Sequence, residues 1–295
     1  MPDFLIDQNL KELTEHRTVV LPFACYETTI RHNIHGFIPL HWHDEIQLVL
    51  ITQGEAVFQI NEEQVSVRQG DGLFINSGCL HMAEDKKGSD CSYICLNVSP
   101  HFVLSQELYS TYVSPFIQAT NLPYLYIDPA SPWGKDIVNA ITRINQCIQQ
   151  KLPFFEIDIT QQLAVIWKNL IINGFKLEYD QTERLKSHRM KEMLQWVHSH
   201  YSEKITLEDI ASAGQLSRSE CCRYFKRILK TTPLNYVTDY RIQKSLVLLQ
   251  TAESSVTEAA YQVGFNSTSY FIERFKKEMH MTPLAYKKRQ TKDSS

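Results

Sequence analysis

Ser217-Arg218-Ser219-Glu220-Cys221-Cys222-Arg223-Tyr224-Phe225-Lys226 and Ser267-Thr268-Ser269-Tyr270-Phe271-Ile272-Glu273-Arg274-Phe275-Lys276 stand 50 residues apart and agree at Ser217/Ser267, Ser219/Ser269, Phe225/Phe275 and Lys226/Lys276. The agreement continues through Thr232-Pro233-Leu234 against Thr282-Pro283-Leu284 and closes with Tyr236 against Tyr286. Self-similarity at a fixed offset marks one supersecondary unit used twice, and two copies make a paired module, not a solenoid. In the first copy Thr206 to Asp209 leads into the apolar Leu207, Ile210 and Ala211, and Ser217 to Glu220 reads as a capping box that opens a second helix. In the second copy Ser255-Val256-Thr257-Glu258 is again a capping box, followed by Ala259, Ala260 and Val263. Gly264 then supplies the left-handed conformation that favours a helix stop, and Ser267 caps the next helix. Helix, tight turn and second helix spell a helix-turn-helix.

Helical spacing sorts the side chains of the second helix in each copy. Cys221, Tyr224 and Phe225 face inward, as do Phe271, Phe275 and the stem of Arg274. Arg218, Ser219, Cys222 and Arg223 are left outward on one helix, and Thr268, Ser269, Ile272 and Glu273 on the other. A recognition helix presents its N-terminal residues to the major groove, where Arg makes bidentate contacts to guanine. The bland alternative is a solvated helix face, and the duplication weighs against it.

Ile205-Thr206-Leu207 through Phe225-Lys226, Ala260-Tyr261-Gln262-Val263-Gly264-Phe265, Ser269-Tyr270-Phe271, Phe275-Lys276-Lys277 and Thr282-Pro283-Leu284-Ala285-Tyr286 together resemble the AraC/XylS family of bacterial transcription regulators. The resemblance implies a seven-helix, double helix-turn-helix domain that inserts two recognition helices into successive major-groove segments. A helix starting at Thr232-Pro233 would hold them about one turn of DNA apart. The implied DNA-binding set is Arg218, Ser219, Cys222, Arg223 and Lys226 on the first helix, and Ser267, Thr268, Ser269, Tyr270, Glu273 and Lys276 at the second, with Arg241 on the connecting helix as a phosphate contact. The chain departs from the family pattern at Ala259, where a larger aliphatic is usual, and at Lys230 and His280, where Gly is common. Glu273 would repel a phosphate unless it accepts from a cytosine amino group, so the second helix should contribute less affinity than the first.

The length of 295 residues suits two domains, and the net charge of -3 conceals an asymmetry. Residues 181–295 hold 19 Lys and Arg against 12 Asp and Glu, and the remainder holds 11 against 21. A basic module joined to an acidic one fits a DNA-binding domain attached to a regulatory domain, because phosphate neutralisation supplies most non-specific affinity. The first 15 residues lack the apolar core of a secretion signal, and no apolar run reaches the ~18 residues of a membrane span. Seven cysteines without a Cys-x-x-Cys pair fit reduced thiols and a cytoplasmic location.

Residues 1 to about 20 read as an arm with one short amphipathic piece, Leu5, Leu10 and Leu13. From about residue 22 to 98 short apolar runs alternate with turn signals: Ile46 to Thr52, Ala56 to Ile60, Val65 and Val67, Leu73 to Ile75, Leu80 to Ala83 and Tyr93 to Ser99. This pattern indicates a sandwich or barrel. It resembles the cupin jelly-roll sensor of the same regulator family, with His41-Trp42-His43 and the stretch from Gly70-Asp71 through Gly78 to His81 as its two motif regions. With a strand running through them, His41, His43, Glu45 and Gln47 share one face, and His81 joins them from a later strand. Imidazole clusters suit transition metals. Metal-binding cupins place a carboxylate where this chain has Gln47, however, and Glu45 comes two residues too early. The five residues are therefore read as the polar lining of an effector pocket, with no metal and no cofactor.

Prolines at 100, 115, 123, 129 and 132 mark loops and short helices. Two amphipathic helices follow, carrying Ile137, Ile141, Ile144 and Ile148, then Ile159, Leu163, Ile166 and Leu170. Trp167 and Ile171 widen the second stripe, and the family resemblance implies a homodimer through this pair. The chain thus divides into an arm and cupin-like effector-sensing domain (1–130), a helical dimerisation region (131–177), a linker (178–187), a double helix-turn-helix domain (188–290) and a disordered tail (291–295). The fold class is α+β with two domains: an N-terminal cupin-like β jelly roll with flanking helices and a C-terminal all-α double helix-turn-helix. The function read from these residues is a sequence-specific transcription regulator and not an enzyme. It is expected to act as an activator controlled by a small-molecule effector, a sugar or related metabolite, with double-stranded DNA and RNA polymerase as partners and no membrane. The rival is a cupin metalloenzyme, an isomerase or dioxygenase, carrying an accessory DNA-binding domain. It needs a bound metal with an open coordination position.

Overall fold

A computed structural model describes residues 6, 10–18, 20–33, 36–86, 88–150, 153–172, 176–250 and 255–293, with the side chains of 290–293 excepted. Leu5, assigned above to the arm, lies outside these residues, as do positions 294 and 295 of the expected tail. The chain parts into two compact units, Met1–Arg184 and Leu185–Ser295.

Among the described residues of the first unit nine strands form two sheets: β1 (Phe23–Thr29), β2 (Phe37–His41), β3 (Ile46–Gln53), β4 (Glu55–Ile60), β5 (Glu63–Arg68), β6 (Gly72–Ile75), β7 (His81–Asp85), β8 (Ser92–Val98) and β9 (Tyr124–Ile127). One sheet has the order β1-β8-β3-β6-β9 and the other β2-β7-β4-β5, all neighbours antiparallel. Apart from the β4–β5 hairpin, consecutive strands from β1 to β8 alternate between the sheets in the manner of a jelly roll, with β9 added at an edge. The unbroken apolar run of β3 follows from its position, because it is covered on both faces. Ile46, Leu48 and Leu50 join one apolar cluster, and Val49 and Ile51 join the core between the sheets. Gln47 shares the parity of Val49 and Ile51, so its amide is turned into the interior of the roll.

Helices α1 (Gln106–Tyr112), α2 (Ser114–Gln118), α3 (Pro132–Gln150) and α4 (Phe155–Ile172) complete this unit. The stripes Ile137, Ile141, Ile144 and Ile159, Leu163, Ile166 and Leu170 are buried in the cluster that contains the outer face of β3. Trp167, expected at a dimer face, is 2% exposed. Its indole N–H donates to the Tyr112 carbonyl at 2.8 Å, and its ring meets Phe74 and Phe116 edge-on. Ile171 is likewise packed against the same core. Both residues are therefore withdrawn from the dimer surface. The exposed apolar residues on and beside α4 are Phe154, Ile157, Val165 and Ile172.

Among the described residues, seven helices form the second part: α5 (Gln181–His200), α6 (Leu207–Ala213), α7 (Arg218–Leu229), α8 (Pro233–Gln250), α9 (Val256–Gln262), α10 (Thr268–Met279) and α11 (Pro283–Asp293). The segment 178–187, expected as a linker, is helical from Gln181. Asp180 caps it by accepting from the Thr182 N–H at 2.7 Å, and good helix formers without Gly or Pro follow. At the other end α11 continues to Asp293, into the expected tail. The caps are those of the sequence pattern. Thr206/Asp209, Ser217/Glu220 and Ser255/Glu258 all form reciprocal capping boxes, and Ser267 accepts from the Tyr270 N–H at 3.3 Å. α7 and α10 have equal lengths and equal stops, Lys230 and His280, each left-handed at φ 54° in place of the usual glycine.

Candidate ligand pocket and nucleic-acid interface

His41 and His81 are register partners across β2 and β7, which places their imidazoles side by side inside the roll, with ring centroids 4.1 Å apart. His43 reaches the same point from the loop after β2, 5.0 Å from His81 and 5.7 Å from His41. β2 ends at His41 and β3 begins at Ile46, so a single strand carrying all four residues from 41 to 47 is not what unites them. Glu45 belongs to that loop, and its side chain is 25% exposed, with a carboxylate oxygen 3.6 Å from His43 Nδ1. Glu45 is thereby displaced from the pocket face expected for it. Gln47 donates its amide to Cys95 Sγ at 2.9 Å, while its Oε1 is buried without a hydrogen-bond partner.

All three imidazoles are oriented in the same way. His41 Nδ1 donates to the Pro39 carbonyl at 2.8 Å, His43 Nδ1 to Glu45 at 3.1 Å and His81 Nδ1 to Cys79 at 2.9 Å. A carbonyl only accepts, so each proton sits on Nδ1 and each Nε2 carries a lone pair. Nε2 of His43 and of His81 are buried with no hydrogen-bond partner. Burial pushes His41 and His43 well below the usual imidazole range and His81 down to about 4, with the neighbouring imidazoles adding to it at His41 and His43. The cluster is therefore neutral at physiological pH.

Two further residues complete the site, and both come from the N-terminal arm. Backbone bonds from Trp42 N to Leu10 O and from Glu12 N to Trp42 O, each 2.9 Å, lay the arm along Trp42. Lys11 pairs with Asp44 and sits 5.3 Å from the centre of the Trp42 ring. The Glu12 carboxylate is thereby buried 3.7 Å from His41 Nε2 and 3.1 Å from His16 Nε2. Tyr26 and Asn97 contact His16 Nδ1 at 3.3 and 3.1 Å. Sequence reasoning missed Glu12 and His16 because nothing local to the arm says where it docks. The cavity beneath is lined by Glu12, Thr14, Tyr26, Gln47, His81 and Asn97 among others, and with the arm in place it has room for about two or three waters.

On the second unit Arg218, Ser219, Arg223 and Lys226 are exposed along α7, and Cys222 is half-buried. On α10 Ser267, Ser269, Tyr270, Glu273 and Lys276 are exposed, and Thr268 is half-buried. Cys221, Phe225, Phe271 and Phe275 are buried beneath them. Arg218 lies 3.5 Å from Glu208 and Arg223 4.0 Å from Glu220, exposed pairs weak enough to yield to a phosphate or a base. Arg274 is committed elsewhere, to Asp239 at 2.8 Å. Arg241, expected as a phosphate contact, is half-buried. Its Nε and one Nη donate at 2.6 Å to the carbonyls of Tyr201 and Glu203, so its fork satisfies the chain just past the end of α5.

Two family models match the chain: an AraC-like ligand binding domain over residues 25–119 and a helix-turn-helix domain over residues 210–289. The uncharacterized HTH-type transcriptional regulator YdeC of Bacillus subtilis is 71% identical over 288 residues, 98% of this chain and 99% of that protein. The chain belongs to the AraC/XylS family of transcriptional regulators. The melibiose operon regulatory protein of Escherichia coli is a more distant relative in the family, 23% identical over 84% of this chain and 83% of its own length. Among solved structures, the apo form of a ToxT variant from Vibrio cholerae aligns over 92% of this chain and 98% of that one, with a TM-score of 0.46 and 16% identity. As an AraC/XylS regulator the chain joins a ligand-binding unit to a DNA-binding one. No helix among the described residues is long and apolar enough to cross a membrane.

Proposed function

We propose that this regulator is an activator that reads two adjacent major-groove segments through α7 and α10 and is controlled by a small polar effector bound inside the jelly roll. The observation that carries the reading is the pair of equal helices, capped at Ser217 and Ser267 and stopped at Lys230 and His280, each exposing its N-terminal residues above a buried aromatic base. Arg218, Ser219, Cys222 and Arg223 read bases. Thr268, Ser269 and Glu273 read the neighbouring segment, with Lys226, Ser267, Tyr270 and Lys276 beside them. The polar groups of an otherwise largely apolar cavity, Glu12, Gln47, His81 and Asn97 among them, support a hydroxyl-bearing effector such as a sugar, a class suggested also by the name of the melibiose operon regulatory protein. Glu12 and Thr14 of the arm line this cavity, so effector binding and arm position are linked. A homodimer forms through the exposed face of α4, and the activator contacts RNA polymerase.

Capture of genomic DNA by the purified protein, followed by sequencing and a salt titration on the best site, tests the regulatory reading. A short motif with two half-sites and affinity far above random DNA is the expected result. Binding that is salt-sensitive and sequence-blind would refute it.

A further inference from the structure

We propose that the pocket holds a divalent transition-metal ion of the zinc class, bound by Nε2 of His41, His43 and His81 and by the carboxylate of Glu12, so that the N-terminal arm supplies one of the metal's ligands. This deepens the reading of the pocket as the sensing site. It stands on a separate measurement, so a protein that holds the metal yet binds DNA without selectivity would refute only the regulatory reading.

Donor atoms of His41, His43 and His81 lie within 4.8 Å of one another, and Glu12, His16 and His43 form a second, overlapping set of the same kind. A tetrahedral zinc site needs its donors about 3.3 Å apart, a contraction that small rotations of three adjacent imidazoles supply. The second, independent sign is the orphaned pair of lone pairs. His43 Nε2 and His81 Nε2 are buried and unpartnered, on rings only 3% exposed. Buried polar atoms are normally paired, and two left open toward one point ask for a common partner. Each ring already holds the Nδ1–H to carbonyl bond that ordinarily orients a metal-bound imidazole.

Gln47 stands where a carboxylate ligand was sought in the sequence; its amide nitrogen is occupied with Cys95, and its unpartnered Oε1 is neutral and a weaker donor than a carboxylate. Glu12 provides the missing anion from another part of the chain. Its Oε2 is 3.7 Å from His41 Nε2, and it shares the second set with His43, so a small swing of the carboxylate reaches the ion. His16, 3.1 Å from the same oxygen and held by Tyr26 and Asn97, becomes the outer partner that orients the carboxylate. Three neutral nitrogens and one carboxylate suit zinc, cobalt or a similar divalent ion and disfavour magnesium or calcium, which take oxygen ligands.

The test is titration of chelator-stripped full-length protein with cobalt(II) alone, read by its visible ligand-field bands, followed by displacement with zinc(II). One equivalent of cobalt with the intense bands of a four-coordinate ion, displaced by zinc, is expected. His81→Gln should abolish these bands, and Glu12→Gln should weaken binding at least tenfold, whereas the exposed His188→Gln should bind as wild type. Trypsin cleavage after Arg17 in the arm should slow on adding zinc to wild type but not to Glu12→Gln. Less than a tenth of an equivalent bound by the wild type would overturn the proposal. So would wild-type affinity in either His81→Gln or Glu12→Gln. Should a histidine variant fail to fold, the wild-type spectrum and the Glu12→Gln titration decide between the same two outcomes.

Discussion

Arg223 is exposed on α7 with only a 4.0 Å pairing to Glu220, whereas Arg241 is tied by two backbone carbonyls. The two arginines should therefore respond differently to truncation. Arg223→Ala is expected to lower specific affinity by about 1 to 3 kcal/mol while leaving binding to random DNA nearly unchanged, measured by titration against both. Equal losses on both DNAs would reduce Arg223 to a phosphate contact. His198 makes a different prediction. It is 4% exposed, stacked on Tyr240 with centroids 3.8 Å apart, and 2.7 Å from the Tyr236 hydroxyl. Burial, with the charge of Lys244 added, lowers it to about 3. In the unfolded chain the imidazole titrates near ~6.5. Between those values the unfolded state binds the extra proton, so the stabilisation is present above about pH 6.5 and is lost as the pH falls. The second unit should lose on the order of 1 to 2 kcal/mol between pH 6.5 and 5, and thermal unfolding of His198→Gln should show a flatter pH dependence.

At the scale of elements, Gly264 ends α9 with φ +91°, and a Cβ there would meet the Tyr201 and Ser202 carbonyl oxygens at 2.7 and 2.8 Å. Gly264→Ala should destabilise the second helix-turn-helix by on the order of 2 kcal/mol or more, seen as a lowered thermal midpoint. An unchanged midpoint would mean that the Tyr201–Ser202 segment gives way freely. This stop was legible in the sequence, as were the caps and the inward faces of α7 and α10, because caps, stops and helical periodicity are local. The strands from β3 to β8 were legible for the same reason. Long-range pairing was not. His41 and His43 were grouped correctly with His81, but on a strand that in fact breaks after His41. Glu45 was included and Glu12 omitted, because a loop and an arm carry no periodicity that fixes where their side chains point. Trp167 looked like surplus apolar area, and only the position of the Tyr112 carbonyl shows why an indole is buried there.

For the whole molecule, the exposed apolar residues of α4 make self-association testable. Val165→Glu, on the open face of a helix whose other face is spent on the core, should shift a sedimentation equilibrium from dimer to monomer while leaving the fold intact. A wild-type protein that is monomeric at micromolar concentration would dispose of the dimer itself. The basic charge gathered after residue 181 should make DNA binding strongly salt-dependent, whatever the oligomeric state. The imidazole cluster has a consequence for descent as well as for chemistry. Each ring takes its orienting bond from a main-chain carbonyl two positions away along its own chain. No side-chain replacement elsewhere can delete those acceptors, so the arm, Gln47 and the cavity walls are free to drift and acquire new ligand preferences around three histidines that keep their aim.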